Sequence, residues 1–138
     1  MSEGRPVDRQ LVERLGGVLA RHPEVGLALL FGSRARGAGG NGSDLDVAVE
    51  GPVDRLGLAA ELAAAAGVDV DVVDVRSAGF PLLRALLRDG VVLHEGEPHA
   101  AARFRTRAIL QTETDRPWFE RMRDAYLRRL AARTDGRP

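Results

Sequence analysis

Apolar residues recur at Leu11, Leu15, Val18 and Leu19, the spacing of a helix that Asp8 is placed to cap and that Pro23 and Gly26 close. The unbroken run "VGLALLF" then predicts a strand buried on both faces. In "DLDVAVE" the pattern alternates, with Leu45, Val47 and Val49 on one face and Asp44, Asp46 and Ala48 on the other, which predicts a strand with a core side and an acidic side. "DRLGLAAELAAAAG" reads as a helix stopped at Gly67, "VDVDVVDV" as a second acidic strand, "FPLLRALLRDG" as a short helix from Pro81 to Gly90, and "VVLHE" as a last strand. Strands alternating with helices predict an α/β domain of about four strands. Residues 97 to 134 read as helix, in two pieces divided at Pro117.

A length of 138 residues allows one compact domain with a real core. The chain reads as a domain over residues 1–96 and a C-terminal helical extension over 97–138 within the same compact unit. No apolar run is long enough to cross a bilayer and the N-terminus lacks a secretory pattern, so a cytoplasmic protein is expected. With no cysteine and three scattered histidines, a metal would have to be held by oxygen. The net charge is zero but unevenly spread: residues 1–100 hold 10 Arg and 15 acids, and residues 101–138 hold 10 Arg and 5 acids. A basic tail can meet RNA, an acidic protein or its own acidic body, and a solvated helix face is the plain default.

The stretch "FGSRARGAGGNGSDLDVAV" concentrates the candidate chemistry. Gly37, Gly39 and Gly42 spell a dinucleotide fingerprint, but "SRAR" separates it from the strand before it and a strand rather than a helix follows, so that reading fails. Gly32 comes straight off a strand, where a missing side chain lets backbone approach a ligand, and Ser33 adds a hydroxyl suited to phosphate. Asp44 and Asp46 share a face, and Asp69 and Asp71 repeat the arrangement on a later strand. Like charges at about 4 Å repel by roughly 4 kcal/mol at an effective dielectric near 20. Shared protons or a divalent cation must offset this, and carboxylate oxygens suit Mg²⁺ or Mn²⁺. A single D-x-D on an exposed strand is more often just a solvated face; here the pair opens a strand with a wholly apolar opposite side, after a phosphate-suited turn.

Gly32-Ser33, a gap of ten residues and Asp44-Leu45-Asp46 together resemble the signature of the DNA polymerase beta-like nucleotidyltransferase superfamily, and "GSRARG…SDLDVAV" is similar to its minimal nucleotidyltransferase (MNT) branch. The resemblance covers about residues 8 to 95. It implies a small mixed sheet flanked by helices, with Asp44 and Asp46 holding Mg²⁺ and a third carboxylate from a neighbouring strand. That position falls on Asp71, with Asp69 in reserve and Asp74 on the opposite face. It further implies two Mg²⁺ ions, ATP as donor, and Gly32 and Ser33 at the outer phosphates. Arg34 and Arg36 either touch phosphate or are surface arginines.

The C-terminal segment holds Phe104, Trp118, Phe119 and Tyr126, four of the six aromatics. Trp118, Met122 and Tyr126 are spaced by four and form one apolar stripe. Such stripes usually pack on their own domain, which is the expectation here; the alternative is a docking face. The tail resembles that of MNT antitoxins paired with a HEPN-domain ribonuclease toxin, which implies AMP transfer from ATP to a tyrosine hydroxyl of the toxin. Two rival readings are an antitoxin that acts by binding alone and an adenylyltransferase of an antibiotic or other small molecule. A nucleotide-sugar glycosyltransferase would leave the G-S turn unexplained, and nucleic acid is not the expected partner because no stacking motif of an RNA module is present.

Overall fold

The computed structural model describes residues 8–32 and 45–135. Helix α1 (Arg9–Leu19) starts where the Asp8 side chain accepts from the Gln10 amide, and it buries Leu11, Leu15, Val18 and Leu19. Strand β1 (Leu27–Phe31) follows and is buried almost throughout, as its unbroken apolar run predicts. Strand β2 (Leu45–Glu50) leads into α2 (Arg55–Ala66), capped by Asp54 and ended by Gly67 in the left-handed conformation. Strand β3 (Val70–Asp74), the 3-10 turn Val75–Ser77, α3 (Phe80–Asp89) and β4 (Val91–Glu95) complete the body, and α4 (Ala100–Asp135) closes the chain.

The four strands form one mixed sheet in the order β3-β2-β1-β4. β1 pairs antiparallel with both β2 and β4, whereas β2 and β3 run parallel, joined by α2. One face of the sheet packs Val47, Val49, Ala28 and Leu30 against Leu15, Leu19 and Leu62 of α1 and α2. The other packs Leu27, Leu29 and Ala48 against Leu83, Leu86, Phe104 and Ala108 of α3 and α4. β2 is therefore not divided into an apolar side and an acidic side along its whole length. Ala48 lies fully buried under α3 and α4 on the same side as Asp46, so the acidic surface is confined to the N-terminal end of the strand.

Helix α4 is one continuous element of 36 residues with Pro117 inside it, not two pieces. At 1.5 Å per residue it spans about 54 Å. A proline removes one intrahelical hydrogen bond and crowds the preceding turn. Packing on both sides of it holds the helix together: Phe104, Ala108 and Thr112 are buried before it, and Phe119 stacks on Phe80 of α3 after it, with ring centroids 4.7 Å apart. Among the described residues no helix is long and apolar enough to cross a membrane.

Candidate active site

Two of the sequence-predicted acids meet at one end of the sheet. In the parallel pair, Asp46 of β2 stands directly opposite Asp71 of β3, and in the antiparallel pair it stands opposite Phe31 of β1. Strand alternation puts the Asp46 and Asp71 side chains on the same face, the face that α3 and α4 cover further along. Asp46 is half-buried on a central strand, while Asp71 is exposed on the edge strand.

Gly32 follows β1 with φ of +87°, a conformation L side chains rarely adopt. A Cβ there would lie 2.9 Å from Oδ2 of Asp46. The missing side chain thus opens space between the strand end and the carboxylate, a cradle that any other residue would fill. Ser33, Arg34, Arg36 and Asp44 lie outside the described residues.

The remaining acids separate by position. Asp69 is exposed just before β3, where its carbonyl accepts from the Leu45 amide at 3.0 Å and joins the start of β3 to the start of β2. Asp74 faces the other way and caps the 3-10 turn, its Oδ1 accepting from the Arg76 amide at 2.9 Å. Among the described residues no group of three acidic or histidine side chains gathers at metal-binding distance. The described pair fits a hard divalent cation all the same. Its donors are carboxylate oxygens, they share one face, and the Gly32 cradle opens beside one of them.

The stripe on α4 stays largely exposed rather than packing on the described residues of its own domain, contrary to expectation. Trp118 is 57% exposed, Met122 47% and Tyr126 55%, and Leu127 and Leu130 are also exposed. The buried residues of this helix, Ala100, Phe104, Ala108 and Thr112, all precede Pro117. Beyond Arg123 the helix is largely exposed.

Sequence reasoning missed a groove between α3 and α4, about 270 Å³ in volume, lined by Phe80, Arg84, Arg88, Phe119, Glu120 and Arg123. Arg84 and Arg88 are four apart on α3, as Phe119 and Arg123 are on α4. That spacing was the available signal, but only the pairing of the two helices makes it a site.

Residues 13–99 match the "Polymerase beta, Nucleotidyltransferase" family, and the chain belongs to it. It is similar to the protein adenylyltransferase MntA of Shewanella oneidensis, with 38% identity over 73 residues, 49% of this chain and 52% of that protein. The match thus spans about half the length of this curated relative. Among solved structures, a chain of a toxin–antitoxin complex with AMP-PNP superposes with a TM-score of 0.73 at 28% identity, covering 84% of this chain and 98% of that one. A chain of the tri-AMPylated Shewanella oneidensis HEPN toxin in complex with MNT antitoxin superposes with a TM-score of 0.69 at 26% identity, covering 86% of this chain and 98% of that one.

Proposed function

We propose that the protein is an MNT antitoxin that transfers AMP from ATP to a hydroxyl of a HEPN-domain toxin, a tyrosine in the leading reading, in the cytoplasm. The single observation that carries the chemistry is the side-by-side placement of Asp46 and Asp71 next to the Gly32 cradle. The relatives carry the donor and the partner: one is a protein adenylyltransferase, one chain comes from a complex with an ATP analogue, and one from a complex with an AMPylated HEPN toxin.

In this reading Asp44, Asp46 and Asp71 are the residues that hold Mg²⁺, which would offset the triphosphate charge and stabilise the leaving pyrophosphate. Gly32 and Ser33 admit and bind the outer phosphates, with Arg34 and Arg36 within the same segment. Asp46 is fixed by pairing on both sides of its strand, so it suits the task of holding the donor in one geometry. Asp71, on the edge strand and open to solvent, is where an acceptor hydroxyl can approach, and it helps draw off the hydroxyl proton. The hydroxyl oxygen forms the new bond to the α-phosphorus, the α–β bridging bond breaks, and pyrophosphate leaves. Residues 1–96 carry this chemistry, and residues 97–138 present the acceptor protein.

Incubation with α-labelled ATP, Mg²⁺ and a candidate HEPN-domain toxin tests the reading. Label on the toxin, lost in an Asp44→Asn/Asp46→Asn variant, is the expected result; label that survives in that variant removes the carboxylates from the reaction. Neutralisation by binding alone is favoured by one observation, the exposed apolar stripe of α4. It predicts that the same variant still silences the toxin without labelling it.

A further inference from the structure

The groove between α3 and α4 is built from flat groups. The Phe80 and Phe119 rings lie 4.7 Å apart and tilted by 30°, and Trp118 meets Phe119 edge-on at 6.2 Å. The Arg84 guanidinium lies over the Phe80 ring, 5.7 Å from its centroid. Arg88 and Arg123 complete the rim; each pairs with an acid next to it in sequence, Asp89 at 2.9 Å and Asp124 at 3.3 Å, while Arg84 makes no ion pair with the described residues. Glu120 is the one acid lining the groove, against three arginines.

We propose that this groove binds a nucleoside 5′-monophosphate group, with its base against Phe119 and the Arg84 guanidinium and its phosphate on Arg84, Arg88 and Arg123. Bases stack on aromatic rings and on guanidinium planes, and guanidinium forks match phosphate oxygens. A carboxylate ligand would engage the arginines but not the ring faces, and an apolar ligand the rings but not the guanidinium groups, whereas a nucleotide engages both. A volume of about 270 Å³ is close to the lower end of small-ligand pockets, roughly 300 Å³, so the groove takes one nucleotide unit rather than an oligonucleotide. It opens between the two helices that pack on the sheet face bearing Asp46 and Asp71, and its lining residues include neither those acids nor Gly32. The inference rests on the adenylyl-transfer reading for its choice of nucleotide: the AMP unit is either free or already attached to the acceptor, presented for a further round.

Titration of the single tryptophan tests this directly, because Trp118 touches one of the proposed stacking rings. An Asp46→Asn/Asp71→Asn background weakens the donor site, and the probes are AMP, O-adenylyl-tyrosine amide and a Glu-Tyr peptide. Saturable quenching by either nucleotide, with affinity reduced about tenfold or more by Arg84→Ala/Arg88→Ala, is the expected result, since charge-assisted hydrogen bonds to phosphate are lost. Tighter binding of the adenylylated tyrosine than of AMP assigns the groove to the acceptor, and equal binding assigns it to free nucleotide. Quenching that the arginine substitutions leave unchanged, or binding of the peptide in place of the nucleotides, overturns the proposal. Circular dichroism of each variant checks that both helices persist. Because the readout is binding without turnover, the groove can fail while AMP transfer stands, and the reverse.

Discussion

Asp46 and Asp71 face each other as register partners across the parallel strands β2 and β3, one on an interior strand and one on the sheet edge. Neighbouring strands are about 4.8 Å apart, so two carboxylates on one face at this position share a single environment. If the pair holds the metal as proposed, replacing either by Asn should reduce labelling of a HEPN-domain acceptor by roughly 100-fold or more. The Asp71 variant should unfold at urea concentrations close to the parent's, because that side chain is exposed on the edge strand. A loss of activity accompanied by a matching loss of stability would point to a structural role.

Gly32→Ala should destabilise the fold by about 1–2 kcal/mol from its left-handed backbone alone. It should also press on the Asp46 carboxylate, whose Oδ2 would be 2.9 Å from the new methyl group. The check is a urea melt set beside ATP affinity; an alanine variant that binds ATP as the parent does would remove the cradle from nucleotide binding.

His22 ties the turn after α1 to α2, with Nε2 2.9 Å from Glu61 Oε1 and Nδ1 3.2 Å from Glu24 Oε2. Hydrogen bonding to Glu61, then to Glu24, raises its pKa above the ordinary 6.5. A raised folded-state value means that the protonated ring stabilises the fold fully below pH 6.5, and that this contribution is lost as pH rises through the folded value. Glu24 acts at lower pH and in the opposite sense. A backbone hydrogen bond and then His22 hold it below its ordinary 4.5, so its contribution is present above 4.5 and fades as pH falls through the lower folded value. Tm should decline from mildly acid to mildly alkaline pH in the parent, and a His22→Gln variant should flatten that slope. Both partners are solvent-accessible, so the effect is small and weakens with salt.

Pro117→Ala should stabilise the protein, by up to about 3 kcal/mol, by restoring a backbone donor inside a continuous helix. Equilibrium urea unfolding measures it. An unchanged or lower stability would show that the proline shapes the helix for the contact between Phe80 and Phe119.

Trp118→Ala and Tyr126→Ala remove more than half-exposed rings. Neither should shift the Tm of the isolated chain appreciably, while each should weaken toxin binding about tenfold or more if the stripe is the docking face. Calorimetry with purified toxin reads the affinity and thermal melts read the fold.

Much of the fold was legible because its signals are local. Asp8 caps α1, Gly67 stops α2, Pro81 sits in the first turn of α3, and alternation alone separates Asp71 from Asp74. The misreadings share a cause in tertiary packing. A proline is a strong local break, but burial before Pro117 and ring stacking after it outweigh the lost hydrogen bond. Ala48 follows the alternation that put Asp46 outward, yet α3 and α4 cover it, and nothing within β2 announces that cover. Arg84 and Arg123 lie far apart in sequence and share a groove only because α3 and α4 pack together. The stripe on α4 was visible in the spacing, but which surface would receive it was not.

The distal part of α4 has a consequence for the lifetime of the protein. A helical segment of about a dozen residues that is largely exposed is marginal in water on its own, so in the lone chain its backbone opens readily to proteases. An occupied docking surface would close that entry point, and the abundance of this chain would then follow the supply of whatever it grips.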